Sequence, residues 1–198
     1  MKPLVNPWNP RPRRRSERGF SLIELMAAML VLAVGLGALT PLLCTGMYAD
    51  NNSANATTST MVAEHILEQI TGAQANAGGN LAGGLTDCAG TNWAITLDAA
   101  NQGAGSGGTY GGNGAKVTST GIIDWTQTYA NVPAGYAMQY VACGNGSHQI
   151  TYDIRWDLIT LSTQARAVVI SARPLASTQV GGLRFIVPVQ LRSIEGMK

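Results

Sequence analysis

The sequence predicts an α+β fold: a long N-terminal helix, half hydrophobic anchor and half amphipathic, packed on a C-terminal antiparallel β-sheet. Three observations predict it. An apolar run fills residues 20–43, apolar positions return at helical spacing between Met61 and Ile70, and alternating patterns dominate after Tyr136. Helix first and strands afterwards, with hairpin-length connections, is the α+β order. At 198 residues the chain can hold one globular domain and an accessory segment.

Residues 1–19 read as a basic leader. Of 13 basic and 11 acidic residues in the chain, six and one lie there: Lys2, Arg11, Arg13, Arg14, Arg15 and Arg18 against Glu17. The formal net charge of +2 therefore conceals a remainder with 7 basic and 10 acidic groups, a net of −3. That remainder has no electrostatic reason to bind nucleic acid. An ordinary secretory signal places its small-residue cleavage site after the apolar run. Here the small residue, Gly19, comes before it. A cut between Gly19 and Phe20 leaves the hydrophobic helix on the mature chain; an uncleaved signal anchor is the alternative.

Residues 20–43 (FSLIELMAAMLVLAVGLGALTPLL) are almost wholly apolar. As a helix they rise about 36 Å, enough to cross a hydrocarbon core of roughly 30 Å. The arginines in front of them place the N-terminus in the cytoplasm and the bulk outside. Glu24 is the exception within the run. A carboxylate inside a spanning segment costs roughly 2.5–3.5 kcal/mol on insertion scales and needs a partner. No Lys, Arg or His lies between Phe20 and Leu43. Cleavage after Gly19 creates one, the α-amine of Phe20, mostly cationic at neutral pH. It can serve Glu24 of its own helix, or of a neighbouring subunit offset by about 6 Å.

The string RGFSLIELMAAMLVLAVGLGAL resembles the class III signal of type IV pilins and pseudopilins: Gly, then Phe, then a helix with Glu at its fifth position. Gly19, Phe20 and Glu24 match residue by residue. Within that family AVGLGAL, followed by a polar helix with MVAEHILEQI, is most similar to PilV-type minor pilins. The resemblance implies that a prepilin peptidase cuts after Gly19 and methylates the Phe20 amine. It implies as partners other pilin subunits, an inner-membrane assembly platform and the membrane. The chain would first span the inner membrane once, its N-terminus cytoplasmic and its C-terminal domain periplasmic, and later reach a pilus at the cell surface. A minor pseudopilin of a type II secretion system, and a signal-anchored binding protein that never polymerises, are the rival readings.

Pro41 is expected to end or kink the helix, because it lacks an N–H and crowds the preceding turn. In pilins a proline near this point lets the helix loosen on assembly. Residues 44–72 are expected to form the amphipathic helix. Asp50–Thr60 has poor helix propensity and needs packing support to be helical. Met61, Val62, Ile66, Leu67 and Ile70 then make one apolar face, with His65 beside it as a structural or solvent-facing residue, and Gly72 is a plausible stop.

Residues 73–135 are rich in Gly, Ala and Asn and read as a variable loop region, with at most a short strand at Trp93–Leu97. Cys88 and Cys143 pair as a disulfide if this part is exported, and are free thiols otherwise. Within 136–198 the expected strands are Tyr136–Ala142, Gln149–Asp157, Arg166–Ala172 and Leu183–Arg192. Gln149–Asp157 alternates as a half-buried strand. In the last strand Phe185, Val187, Val189 and Leu191 share a face, and Pro188 argues for an edge or bulge.

No cofactor or catalytic site emerges. The glycine runs lack the GK[ST] of a phosphate loop and the strand–helix setting of a dinucleotide fingerprint. No CxxC or His/Cys cluster suggests a metal. Asp87, Asp98 and Asp124 are too scattered for a calcium loop. Ser162, His148 and Asp153 could be named as a triad, but no nucleophile-elbow motif accompanies them.

Overall fold

A computed structural model describes residues 19–143, 149–175 and 187–196. The chain divides into two compact units, Met1–Tyr48 and Ala49–Lys198. Helix α1 (Leu22–Gly72) contributes to both and ends at the expected glycine. It does not stop at Pro41, which lies inside it. Proline forfeits its bond to the carbonyl one turn back, that of Gly37. Around this gap threonine hydroxyls turn back on the helix: Thr40 donates to the Leu36 carbonyl and Thr45 to the Pro41 carbonyl, each at 3.0 Å.

The Asn/Ser/Thr stretch is helical as well. The hydroxyls of Thr57, Thr58, Ser59 and Thr60 each donate to the carbonyl four residues back, at 2.8–3.0 Å. These bonds satisfy side chains that otherwise favour caps and turns. Packing supplies the rest. Val62, Ala63, Ile66 and Ile70 are buried and Leu67 packs against their cluster. Met61 is the correction to the expected face: it is 64% exposed, one residue outside the stripe that Val62, Ile66 and Ile70 define.

After α1 come β1 (Leu85–Thr86), β2 (Asn92–Trp93), β3 (Ala100–Asn101), β4 (Asn113–Gly114), β5 (Ala137–Ala142), β6 (Ile150–Ser162), β7 (Ala165–Pro174) and β8 (Val189–Gly196). The expected strand at Trp93–Leu97 is reduced to β2, paired with β1, and an isolated bridge between Asn80 and Thr96. In the main sheet β6 and β7 pair antiparallel over Tyr152–Ser162, and β8 adds to β7. The other edge of β6 is shared by β5 antiparallel, β4 antiparallel and β3 parallel. The sheet is therefore mixed, and it recruits two short strands from the stretch read as loop. β8 starts at Val189, after Pro188, because proline offers no N–H to a ladder. Val187 precedes the strand, and Phe185 lies outside the described residues.

One face of the sheet carries the core. Tyr152, Ile154, Trp156 and Leu158 from β6 and Val168, Ile170 and Ala172 from β7 join the α1 stripe in one buried cluster. Each such side chain stabilises by roughly 1.5–3 kcal/mol. The half-buried reading of β6 is overturned on the other face, where Asp153, Arg155 and Asp157 are also buried. Arg155 grips Asp153 through two bonds, Nε to Oδ1 at 3.0 Å and Nη2 to Oδ2 at 2.7 Å. Its guanidinium also lies 4.6 Å from the centre of the Trp125 ring, which Arg173 approaches to 4.1 Å. A loop thus roofs the strand, and the charges of Asp153 and Arg155 survive burial because they are paired.

Arg166 fixes the end of α1. It is 1% exposed and bonds Glu195 of β8 at 2.7 Å, the Ile70 carbonyl at 3.0 Å and the Leu97 carbonyl at 3.0 Å. The last helical carbonyls have no partner within the helix, and a cation there also suits the helix dipole.

Candidate functional site

The candidate site is the start of α1. Gly19, Phe20 and Ser21 precede the first helical residue, so the Gly19–Phe20 bond lies on non-helical backbone. Both residues are exposed, Phe20 to 82%, and a side chain at Gly19 would meet nothing within 4 Å. Residues 1–18, with the basic leader, lie outside the described residues.

Ser21 caps the helix. Its hydroxyl accepts the Glu24 N–H at 3.3 Å, and its carbonyl accepts Glu24 N–H and Leu25 N–H at 3.1 and 3.2 Å. Ser-x-x-Glu is the spacing of a capping box, a cue that the sequence reading passed over. Glu24 is thus the acid of the first turn, where the helix dipole favours negative charge. Helix capping sets the backbone at the junction, while the carboxylate itself is exposed and available to a cation.

From Gly19 to Asp50 every residue is exposed. Leu22, Ile23, Met29, Val31, Leu42 and Met47 each show more than 60% of their surface. Within α1 lies a segment long and apolar enough to cross a membrane. A helix apolar all round has its partners outside its own chain, in lipid or in other helices. Cys44 is exposed and free at its end.

The other singled-out residues are structural. Cys88 and Cys143 are joined, with Cα atoms 5.4 Å apart and a sequence separation of 55, a closure that contributes about 4 kcal/mol. Asp87 secures this link. Burial pushes its carboxyl up, but donors from Trp93, Thr91, Val141 and Ala89 outweigh that and hold it below the ordinary value of 3.8. Asp98 accepts the Gly79 N–H at 2.7 Å, and Asp124 accepts the Thr126 hydroxyl and N–H, which lower its pKa. Asp153 is committed to Arg155, and Ser162 lies nine residues further along the same strand, about 30 Å away. His148 is outside the described residues. His65 is exposed.

Residues 14–40 match the family model described as the prokaryotic N-terminal methylation motif, the class III signal of type IV pilins. The matched span includes Gly19, Phe20 and Glu24. No curated protein and no solved structure matches the chain. The motif supports the pilin and pseudopilin family and does not single out the PilV type. Together with the α+β, pilin-like architecture it points to a membrane-anchored structural protein.

Proposed function

We propose that this chain is a structural minor pilin of a type IV pilus, cut after Gly19 by a prepilin peptidase, methylated at Phe20 and assembled through α1. The observation that carries the reading is the exposed Gly19–Phe20 junction directly before an apolar helical segment, Leu22–Tyr48, that is exposed throughout and holds one acid, Glu24. The cut discards the basic leader and creates the one cation able to reach Glu24 in an otherwise apolar setting. A Phe20 amine paired with Glu24 of a neighbouring helix neutralises both groups in lipid and sets the axial register between subunits. Pro41 is the point at which the helix would loosen. The arginines of the leader hold the N-terminus in the cytoplasm, so the domain is periplasmic before extraction into the filament. The assembly platform and the other pilins are the partners. AVGLGAL and MVAEHILEQI are the stretches on which the likeness to PilV-type minor pilins rests, and a secretion pseudopilin is the second reading.

Mass spectrometry of the mature protein tests this. The expected N-terminus is N-methylated Phe20. An intact Met1, or a free end elsewhere, sinks the processed subunit and leaves the signal-anchored binding protein. Glu24→Leu should be cleaved yet fail to enter filaments; normal assembly would overturn the charge pairing.

A further inference from the structure

The stretch 103–114, GAGSGGTYGGNG, has a use that assembly leaves unexplained. It follows β3 and runs through β4, and both strands pair with β6. Five of its glycines have no room for a side chain: Gly105, whose Cβ would strike the Gly112 carbonyl, and Gly107, Gly111, Gly112 and Gly114. A Cβ on Gly107 would collide with Asp157 Oδ2, and on Gly111 it would lie 2.8 Å from the same atom. On Gly112 it would lie 2.7 Å from the Ala100 carbonyl, and on Gly114, where φ is +133°, it would strike the Trp156 carbonyl. Gly107 and Gly111 press on the Asp157 carboxyl and Gly112 donates to it, while Gly112 and Gly114 let the segment lie against the β6 backbone.

Asp157 is 0% exposed. Its Oδ1 accepts the Gly112 N–H at 2.7 Å, and its Oδ2 has no hydrogen-bond partner. Among the described residues no cation lies within salt-bridge distance of Asp157, and the neighbouring arginines are committed elsewhere. On β6, Arg155 serves Asp153. On β7 the residue in register is Val169, and beyond it on β8 Arg192 donates to the carbonyls of Thr120 and Gly121. Lys116 follows β4, its stem 3.8 Å from where a Gly108 Cβ would sit. The glycine stretch itself offers only Tyr110, which is 45% exposed. The Tyr136 hydroxyl donates to the Asp98 carbonyl at 2.7 Å; burial first, and then the charges of Asp98 and Asp157, push that phenol up to about 12. Burial likewise pushes the Asp157 carboxyl up to about 7, opposed by the Gly112 N–H.

We propose that residues 101–114 form a proton-gated flap, held on the β6 edge by the neutral carboxyl of Asp157 and released when that proton leaves. An enclosed carboxylate without a cation is strongly disfavoured, and opening the glycine wall is its route to water. The cost of opening is small, because β3 and β4 each pair with β6 through two residues. A folded pKa raised above the ordinary 3.8 makes the flap's hold complete below about pH 4, and that hold is lost as pH rises through about 7. The flap works within the domain and does not depend on whether the chain assembles.

Hydrogen exchange on the full chain in detergent micelles, from about pH 5.5 to 8.5 and corrected for the intrinsic pH dependence of exchange, tests the flap. The reporting amides are Gly103, Gly107, Gly112 and Gly114, all hydrogen-bonded in the closed state. Their protection should fall about tenfold per pH unit from the acid end up to about pH 7 and level off above it, while the β6–β7 amides hold. Asp157→Asn should leave flap protection independent of pH, and Gly107→Ala should leave those amides open even at the acid end. Wild-type protection that stays constant, or a pH profile in Asp157→Asn that parallels wild type, overturns the proposal. Should Asp157→Asn fail to fold, the ¹³C carboxyl shift of Asp157 in the wild-type chain decides: titration near neutrality supports the flap, and titration below about pH 5 overturns it.

Discussion

The two halves of α1 are written for different surroundings. From Leu22 to Tyr48 the helix is apolar on every side and exposed on every side. From Ser53 onward it is polar and hydroxyl-rich, with a narrow buried stripe at Val62, Ala63, Ile66 and Ile70. In the second half hydrophobicity is spent sparingly, only where the chain itself supplies a partner. In the first half it is spent everywhere, and nothing among the described residues covers it. An apolar surface of that extent signals an interaction with something outside the chain. The lesson is that the same secondary structure carries two kinds of stability, one intramolecular and one lent by lipid or neighbouring helices.

That contrast can be broken at several points. Arg166→Ala should have the largest effect, about 3–5 kcal/mol of domain stability in denaturant unfolding, because it takes a donor from the Ile70 and Leu97 carbonyls and leaves Glu195 buried without its cation. A loss below about 1 kcal/mol would mean that packing alone holds the second half of the helix. Ile66→Ala, at a fully buried position, should cost about 2–4 kcal/mol in the same measurement. Leu32→Ala removes as much side chain from a residue that is 57% exposed, and should move unfolding of the domain by no more than about 0.5 kcal/mol. On the proposed pilin reading, its effect would instead fall on membrane retention and filament yield. A domain destabilised by Leu32→Ala as much as by Ile66→Ala would erase the distinction between the halves.

Much of this was legible in the sequence, for identifiable reasons. The anchor, the stripe at Val62, Ile66 and Ile70, and the strands at β6 and β7 follow from periodicity, which reports directly which side of an element is buried. The pairing of Cys88 with Cys143 was one of two open readings. The second face of β6 was not legible. Alternation assigns Asp153, Arg155 and Asp157 to solvent, since it cannot know that Arg155 finds Asp153 two residues away or that a remote loop closes over all three. The glycines at 107, 111, 112 and 114 look like slack, yet each is required by a close approach of backbone or carboxyl. At the candidate site the Gly19–Phe20 order and Glu24 stood out, while Ser21 as the cap went unread because Glu24 was weighed only as a charge in lipid. Met61 erred by one position, the ordinary uncertainty in where a helical stripe ends.

The link between Cys88 and Cys143 has one more consequence. It encloses both the glycine-rich stretch and the roof over β6, the parts of the domain with the least regular structure. Such loops are where extracellular proteases cut first. A single cut anywhere between the two cysteines would still leave one covalent molecule, its strands β5 to β8 attached to the helix that anchors them. If the domain is exported as proposed, shedding it would take a reductant as well as a protease, and outside the cytoplasm that pairing is scarce.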